Sequence, residues 1–221
     1  MSGRSRTRTA TIDELEQAPK VAELDHDAVE ASAEWAGDLD RWRAVVVEDD
    51  RLAAIRSAEP PQELDGEVRD HERLEIVRRD EPAPPETDDD GWMAASSGYC
   101  VLRAELDGLA HAAVHLDDAA DGDDAADGDD NHLHLLVVEQ ACNSGEPATG
   151  RVEVGVDADA DEIRLLVGVR PRSGDHTCPS NPATPVTVEL DGPVADRQIV
   201  DVGRYPPREI TTADAGLTVV R

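Results

Sequence analysis

The chain contains no phenylalanine, only 2% of its residues are aromatic, and its apolar share is 39%. Trp35, Trp42, Trp92, Tyr99 and Tyr205 are the whole aromatic set, so any core must be aliphatic and thin. Lys20 is the single lysine, and 21 Lys and Arg face 50 Asp and Glu for a formal net charge of -29. Cationic clusters are what phosphate contacts require. The only one, Arg4, Arg6 and Arg8, lies in an N-terminal tail, which argues against nucleic acid and anionic membrane surfaces as partners. No stretch approaches the roughly 18 to 20 apolar residues that cross a bilayer. The opening MSGRSRTRTATIDELE has basic residues with no apolar run after them and does not read as a signal peptide. Also missing are a G-x-S-x-G elbow, a phosphate-cradling glycine motif and any local Cys-His signature of a catalytic thiol.

What is abundant is negative charge. A surface of this kind repels itself unless counterions screen it, and in molar salt the Debye length shrinks to roughly 3 Å. The composition therefore reads as adaptation to a saline milieu, with disordered acidic tracts as the alternative source of the charge.

Along the chain, residues 1-77 read as a partly helical acidic region. Ile12, Leu15, Val21, Leu24, Val29, Trp35 and Leu39 fall at loosely helical spacing, and Thr11 with Glu14 suggests a capping box. AVVVE at 44-48 is a short apolar run, DDRLAAIRSA suggests a helical turn or two, and RLEIVRR at 73-79 suits a helix or a strand. Residues 78-91, rich in proline and acid, read as an extended linker and the domain boundary. Residues 92-221 then read as a β-rich domain, an antiparallel sandwich or partial barrel. Its predicted strands are 99-106, 110-116, 133-140, 151-156, 162-170, 185-190, 197-202 and 217-220. Within it, 117-131 is an acidic loop built on a tandem DDAADG hexamer and reads as disordered. Calcium is the sharper idea there, but an EF-hand frame counted from Asp123 has Ala125 at its third position and His134 at its twelfth, and DADADE at 157-162 lacks the sixth-position glycine.

Two groups of residues could carry chemistry. His111 and His115, four apart, share a face in either a strand or a helix, and His132 and His134 share one if 133-140 is a strand. If the strands paired, four imidazoles could converge on zinc or another transition metal; the alternative is surface histidines beside an acidic loop, with no cofactor. Among the cysteines, Cys100, Cys142 and Cys178, the last follows His176 by two residues, an arrangement that can activate a thiolate. A rigid turn in which prolines 179, 182 and 185 restrict the backbone, capped locally by Ser180 and Asn181, explains DHTCPSNP more simply. Ser96, Ser97, Ser144, Ser173 and Ser180 are assigned to loops and to no catalytic arrangement.

The segments SGYC at 97-100, VVEQACNSGEPATGRV at 137-152 and VGVRPRSGDHTCPSNPATPVTVELDGPVADRQIVDVGRYPP at 167-207 resemble an uncharacterised family of actinobacterial exported proteins and lipoproteins. That family shares an A-C-x-S-G segment, a T-C-P-x-N-P-x-T-P segment and a terminal L-x-x-P-x-x-D-R segment. Asn143 and Gly192 to Val194 differ from its commoner residues, with no mechanistic consequence expected. The resemblance implies export and a disulfide between Cys142 and Cys178, which is also the more economical reading of the pair. Closing a loop of about 37 residues is worth roughly 4 kcal/mol in the chain-entropy model. Cys100 is then a small buried apolar residue or an intermolecular handle. A disulfide needs an oxidising compartment, and the N-terminus as read does not supply the export signal.

Three functions follow. The leading one is a non-catalytic accessory or binding domain of the cell envelope or exterior, taking a protein or small ligand. The others are a metal-dependent enzyme or metal carrier using the four histidines, and an intracellular acidic regulatory partner docking on a basic surface.

Overall fold

The computed structural model describes residues 12-64, 67-79, 91-117, 131-213 and 218-219. The capping-box Thr11, most of the acidic loop and most of the proposed linker lie outside them. The chain forms two compact units, Met1–Leu102 and Arg103–Arg221.

The first unit is built on a four-stranded antiparallel sheet in the order β1 (Arg43–Glu48), β2 (Arg51–Leu64), β3 (Glu67–Arg78) and β4 (Trp92–Cys100). Its helices are short, α1 (Ile12–Glu16) and α2 (Ala28–Ala36). Two expectations change here. The stretch read as helical turns after Asp49 is strand β2. Leu52 and Ala54 stand opposite Ile76 and Leu74 of β3, and all four are buried. A shared buried face of this kind outweighs the helix preference of Leu, Ala and Arg, because intrinsic propensity is small beside tertiary packing. The supposed linker connects two strands in register, with Arg78 opposite Trp92 and the Arg79 N–H donating to the Gly91 carbonyl at 2.7 Å. The division between units falls at Leu102 instead.

In α2 the buried face is Ala28, Ser32 and Ala36, each four residues apart, while Trp35 is 58% exposed. The helix stops at Gly37, whose φ of 66° an L side chain rarely adopts. Trp42, Ala44, Leu52, Leu74, Ile76 and Trp92 form the centre of this unit's core. The few aromatics are held by polar contacts as well: the Arg56 guanidinium lies 4.6 Å from the Trp42 ring centroid, and Trp42 Nε1 donates to the Ala36 carbonyl at 3.1 Å.

The second unit is also mainly β. After the two-residue strand β5 (Leu102–Arg103) come β6 (Ala110–Leu116), β7 (His132–Glu139), β8 (Val152–Ala158), β9 (Glu162–Val169), β10 (Thr184–Glu189), β11 (Gln198–Asp201), β12 (Arg204–Tyr205) and β13 (Arg208–Glu209). A seven-stranded mixed sheet runs β10-β7-β6-β9-β11-β13, with β8 added on β9. Only β9 with β11 is parallel in this path; the other pairs are antiparallel. β5 and β12 make a two-stranded ribbon. The predicted strand at 217-220 lies partly outside the described residues, and Val219 makes an isolated bridge to Ala183.

Alternation places one aliphatic row of each strand inside. Leu133, Leu135 and Val137 of β7 and Ile163, Leu165, Val167 and Val169 of β9 share a single core with Ala112, Val188, Ile199 and Ile210. Gly168 interrupts the β9 sequence because Leu109 crosses it. A Cβ there would sit 2.9 Å from Leu109 Cβ and 2.8 Å from its Cδ1. Gly168→Ala is therefore expected to cost about 1–3 kcal/mol by overpacking, measured as a lower urea midpoint; an unchanged midpoint would show that Leu109 moves freely.

Candidate functional site

The four candidate histidines are not gathered by the fold. His111 and His115 lie on β6 and His132 and His134 on β7, and those strands do pair, but the register separates the imidazoles along the sheet. His115 is opposite Leu136, while the His111 carbonyl accepts from Gln140 N–H. His134 and His132 pair outward with Thr187 and Glu189 of β10, and His134 Nδ1 lies 3.1 Å from Thr187 Oγ1. From His132 to the level of His111 the sheet runs roughly 27 Å at about 3.4 Å per residue. An ion with ligands about 2 Å away cannot take all four. Among the described residues, no group of three or more His, Cys, Asp or Glu side chains is placed to hold a metal ion.

His111 has a different neighbourhood. Burial, then the Arg103 charge, pushes its pKa down against the pull of Asp201. Burial pushes the Asp201 carboxyl up, opposed by the Gly203 N–H and by Arg204, Arg103 and His111. The Gly203 N–H donates to Asp201 Oδ1 at 2.8 Å, so this carboxylate also shapes the turn after β11. In the acidic 157-162 hairpin, the cation is supplied by the chain itself. Arg164 lies 2.8 Å from Asp157, 2.8 Å from Asp159 and 3.0 Å from Glu162.

The densest constellation is the corner around the two cysteine segments. Cys142 and Cys178 form a disulfide with a Cα–Cα distance of 4.4 Å, and both residues are exposed. Directly beneath is Asn143, fully buried at 0% exposure. Its Nδ2 donates to Glu139 Oε2 at 2.6 Å and to the Glu146 carbonyl at 2.7 Å. Its Oδ1 accepts from the N–H groups of Gly145 and Glu146 at 3.0 and 3.2 Å. Asn143 is thus the pivot of the turn. Ser144 and Gly145 follow with φ of 64° and 75°, and a Cβ on Gly145 would stand 3.1 Å from Pro179 Cγ. That explains glycine in the ACNSG segment.

Glu139, at the end of β7, is 3% exposed. Arg151 grips it with both nitrogens, Nη2 to Oε2 at 2.6 Å and Nη1 to Oε1 at 3.1 Å, a bidentate geometry that suits a carboxylate. Burial alone would push the Glu139 carboxyl up. The hydrogen bonds from Arg151 and Asn143 and the charges of Arg151 and Arg172 outweigh it and hold the pKa below its usual value. Arg151 also donates to the Arg170 carbonyl at 2.7 Å, and Arg172 pairs with Glu146.

The 175-185 segment is pinned from its far side. Asn181 does not cap its own turn: its Nδ2 reaches across to the carbonyls of Glu139 and Ala141 at 2.7 and 2.8 Å. Thr184 Oγ1 accepts from Ala148 N–H at 2.7 Å, and Ser144 N–H donates to the Thr177 carbonyl at 3.0 Å. A signal for this was present in the sequence: Asn, Ser and Thr next to Pro and Gly in both cysteine segments supply the donors and acceptors such a corner needs. Which carbonyls they meet was not legible.

Cys100, the third cysteine, stands on β4 opposite His71. Burial raises its thiol pKa, opposed by Arg73 and Arg69, so the protonated form prevails and a nucleophilic thiolate is disfavoured. Ser96 and Ser97 are on β4 rather than in a loop, and Ser96 Oγ donates to Glu75 Oε2 at 3.2 Å. Among the described residues, no helix is long and apolar enough to cross a membrane. Compared with family models, curated proteins and solved structures, the chain matches none of them.

Proposed function

We propose that the chain is a non-catalytic accessory or binding protein of the cell envelope or exterior, adapted to a saline milieu. The observation that carries this reading is the exposed Cys142–Cys178 disulfide. Thiol pools keep such accessible bonds reduced inside most cells, whereas an oxidising exterior preserves them. The bond also caps a corner whose polar groups are directed at one another, which is the pattern of a structural staple. The resemblance of 137-152 and 167-207 to exported actinobacterial proteins supports the same location, and the charge of -29 supports a high-salt surface.

The second unit fits a sandwich-like arrangement in which β6 passes from the β9 side to the β7 side, since the inward rows of β7 and β9 meet in one core. Such frames present edges and loops for binding while the layers stay rigid.

Thiol titration of unfolded, unreduced protein taken from its native compartment tests the reading. One reactive thiol, from Cys100, is the expected count. Three reactive thiols would remove the staple and the argument for an exterior location.

A further inference from the structure

We draw no further inference here: the strongest candidate, the outer edge of β8 beside the cleft lined by Val156, Ala158, Leu190 and Arg197, is a strand edge that pairs with no second strand among the described residues, and nothing in the structure shows what covers it.

Discussion

Arg151→Ala is expected to destabilise the second unit by about 3–5 kcal/mol, the cost of stranding a buried carboxylate. Glu139 is 3% exposed, and Arg151 supplies two of the hydrogen bonds that keep it ionised there. Asn143 would remain as the one side-chain donor among the described residues, with the Arg172 charge as its remaining support. The measurement is urea unfolding, read as a lower midpoint at unchanged slope. A Glu139→Gln/Arg151→Met double variant should recover most of the loss, since no charge is then buried without a partner. A loss below about 1 kcal/mol for the single variant would place the pair with ordinary surface ion pairs.

The same carboxylate predicts a pH dependence with a definite sign. Glu139 titrates in the folded chain below its usual 4.5, so the unfolded chain takes up the proton first as the medium is acidified. The stabilisation is complete above 4.5 and is lost as pH falls through the lower folded value. Asp201 contributes in the opposite sense. Burial raises its pKa above 3.8, so its share is complete below 3.8 and is lost as pH rises through the folded value. In Glu139→Gln the acid-side loss should shrink, and an unchanged acid limb would assign that loss to other carboxylates.

Removing the disulfide by a Cys142→Ser/Cys178→Ser double variant is expected to cost about 4 kcal/mol. The bond spans 36 positions in sequence, and that span includes the β8-β9 hairpin. Its main effect in this model is on the unfolded chain, which gains conformational freedom when the link is cut. Because both cysteines are exposed, treatment of the folded parent with a reductant should reach the bond and give the same midpoint as the double variant. A parent that resists reductant until it unfolds would contradict the accessible position of the bond. A loss well under about 2 kcal/mol would mean that the hydrogen bonds of Asn143, Asn181 and Thr184 hold the corner unaided.

Local patterns are legible where a strand has one buried face. The runs at 110-116, 133-140, 151-156 and 162-170 lie on β6, β7, β8 and β9 with ends shifted by a residue or two, because period-two alternation is a property of neighbouring residues. The first unit was harder. DRLAAIRSA contains good helix formers and a short apolar pattern compatible with either period, and it became β2 only because Leu74 and Ile76 lie opposite to complete a buried face. The proline-rich stretch before Gly91 carries every mark of a linker, yet the strands on either side of it pair, a relation that no property of the stretch itself encodes.

The candidate site divides along the same line. Cysteine positions, proline and glycine placement, and the supply of Asn, Ser and Thr side chains were legible as turn chemistry. The joining of Glu139, Asn143, Arg151 and Asn181 was not, because those partners meet through strand order and burial. The histidines show the reverse: spacing put each pair on one face, and the β6-β7 register then spread the four over too long a stretch of sheet for one ion.

By itself the sequence determined the acidic surface, the thin aliphatic core, the period-two strands and the two turn-forming cysteine segments, all of which follow from composition and near-neighbour sterics. Only the tertiary structure decided where the units divide and which carboxylate is buried and gripped. Each of these depends on register and on exclusion of water by residues distant in the chain, and neither is a local property of the sequence.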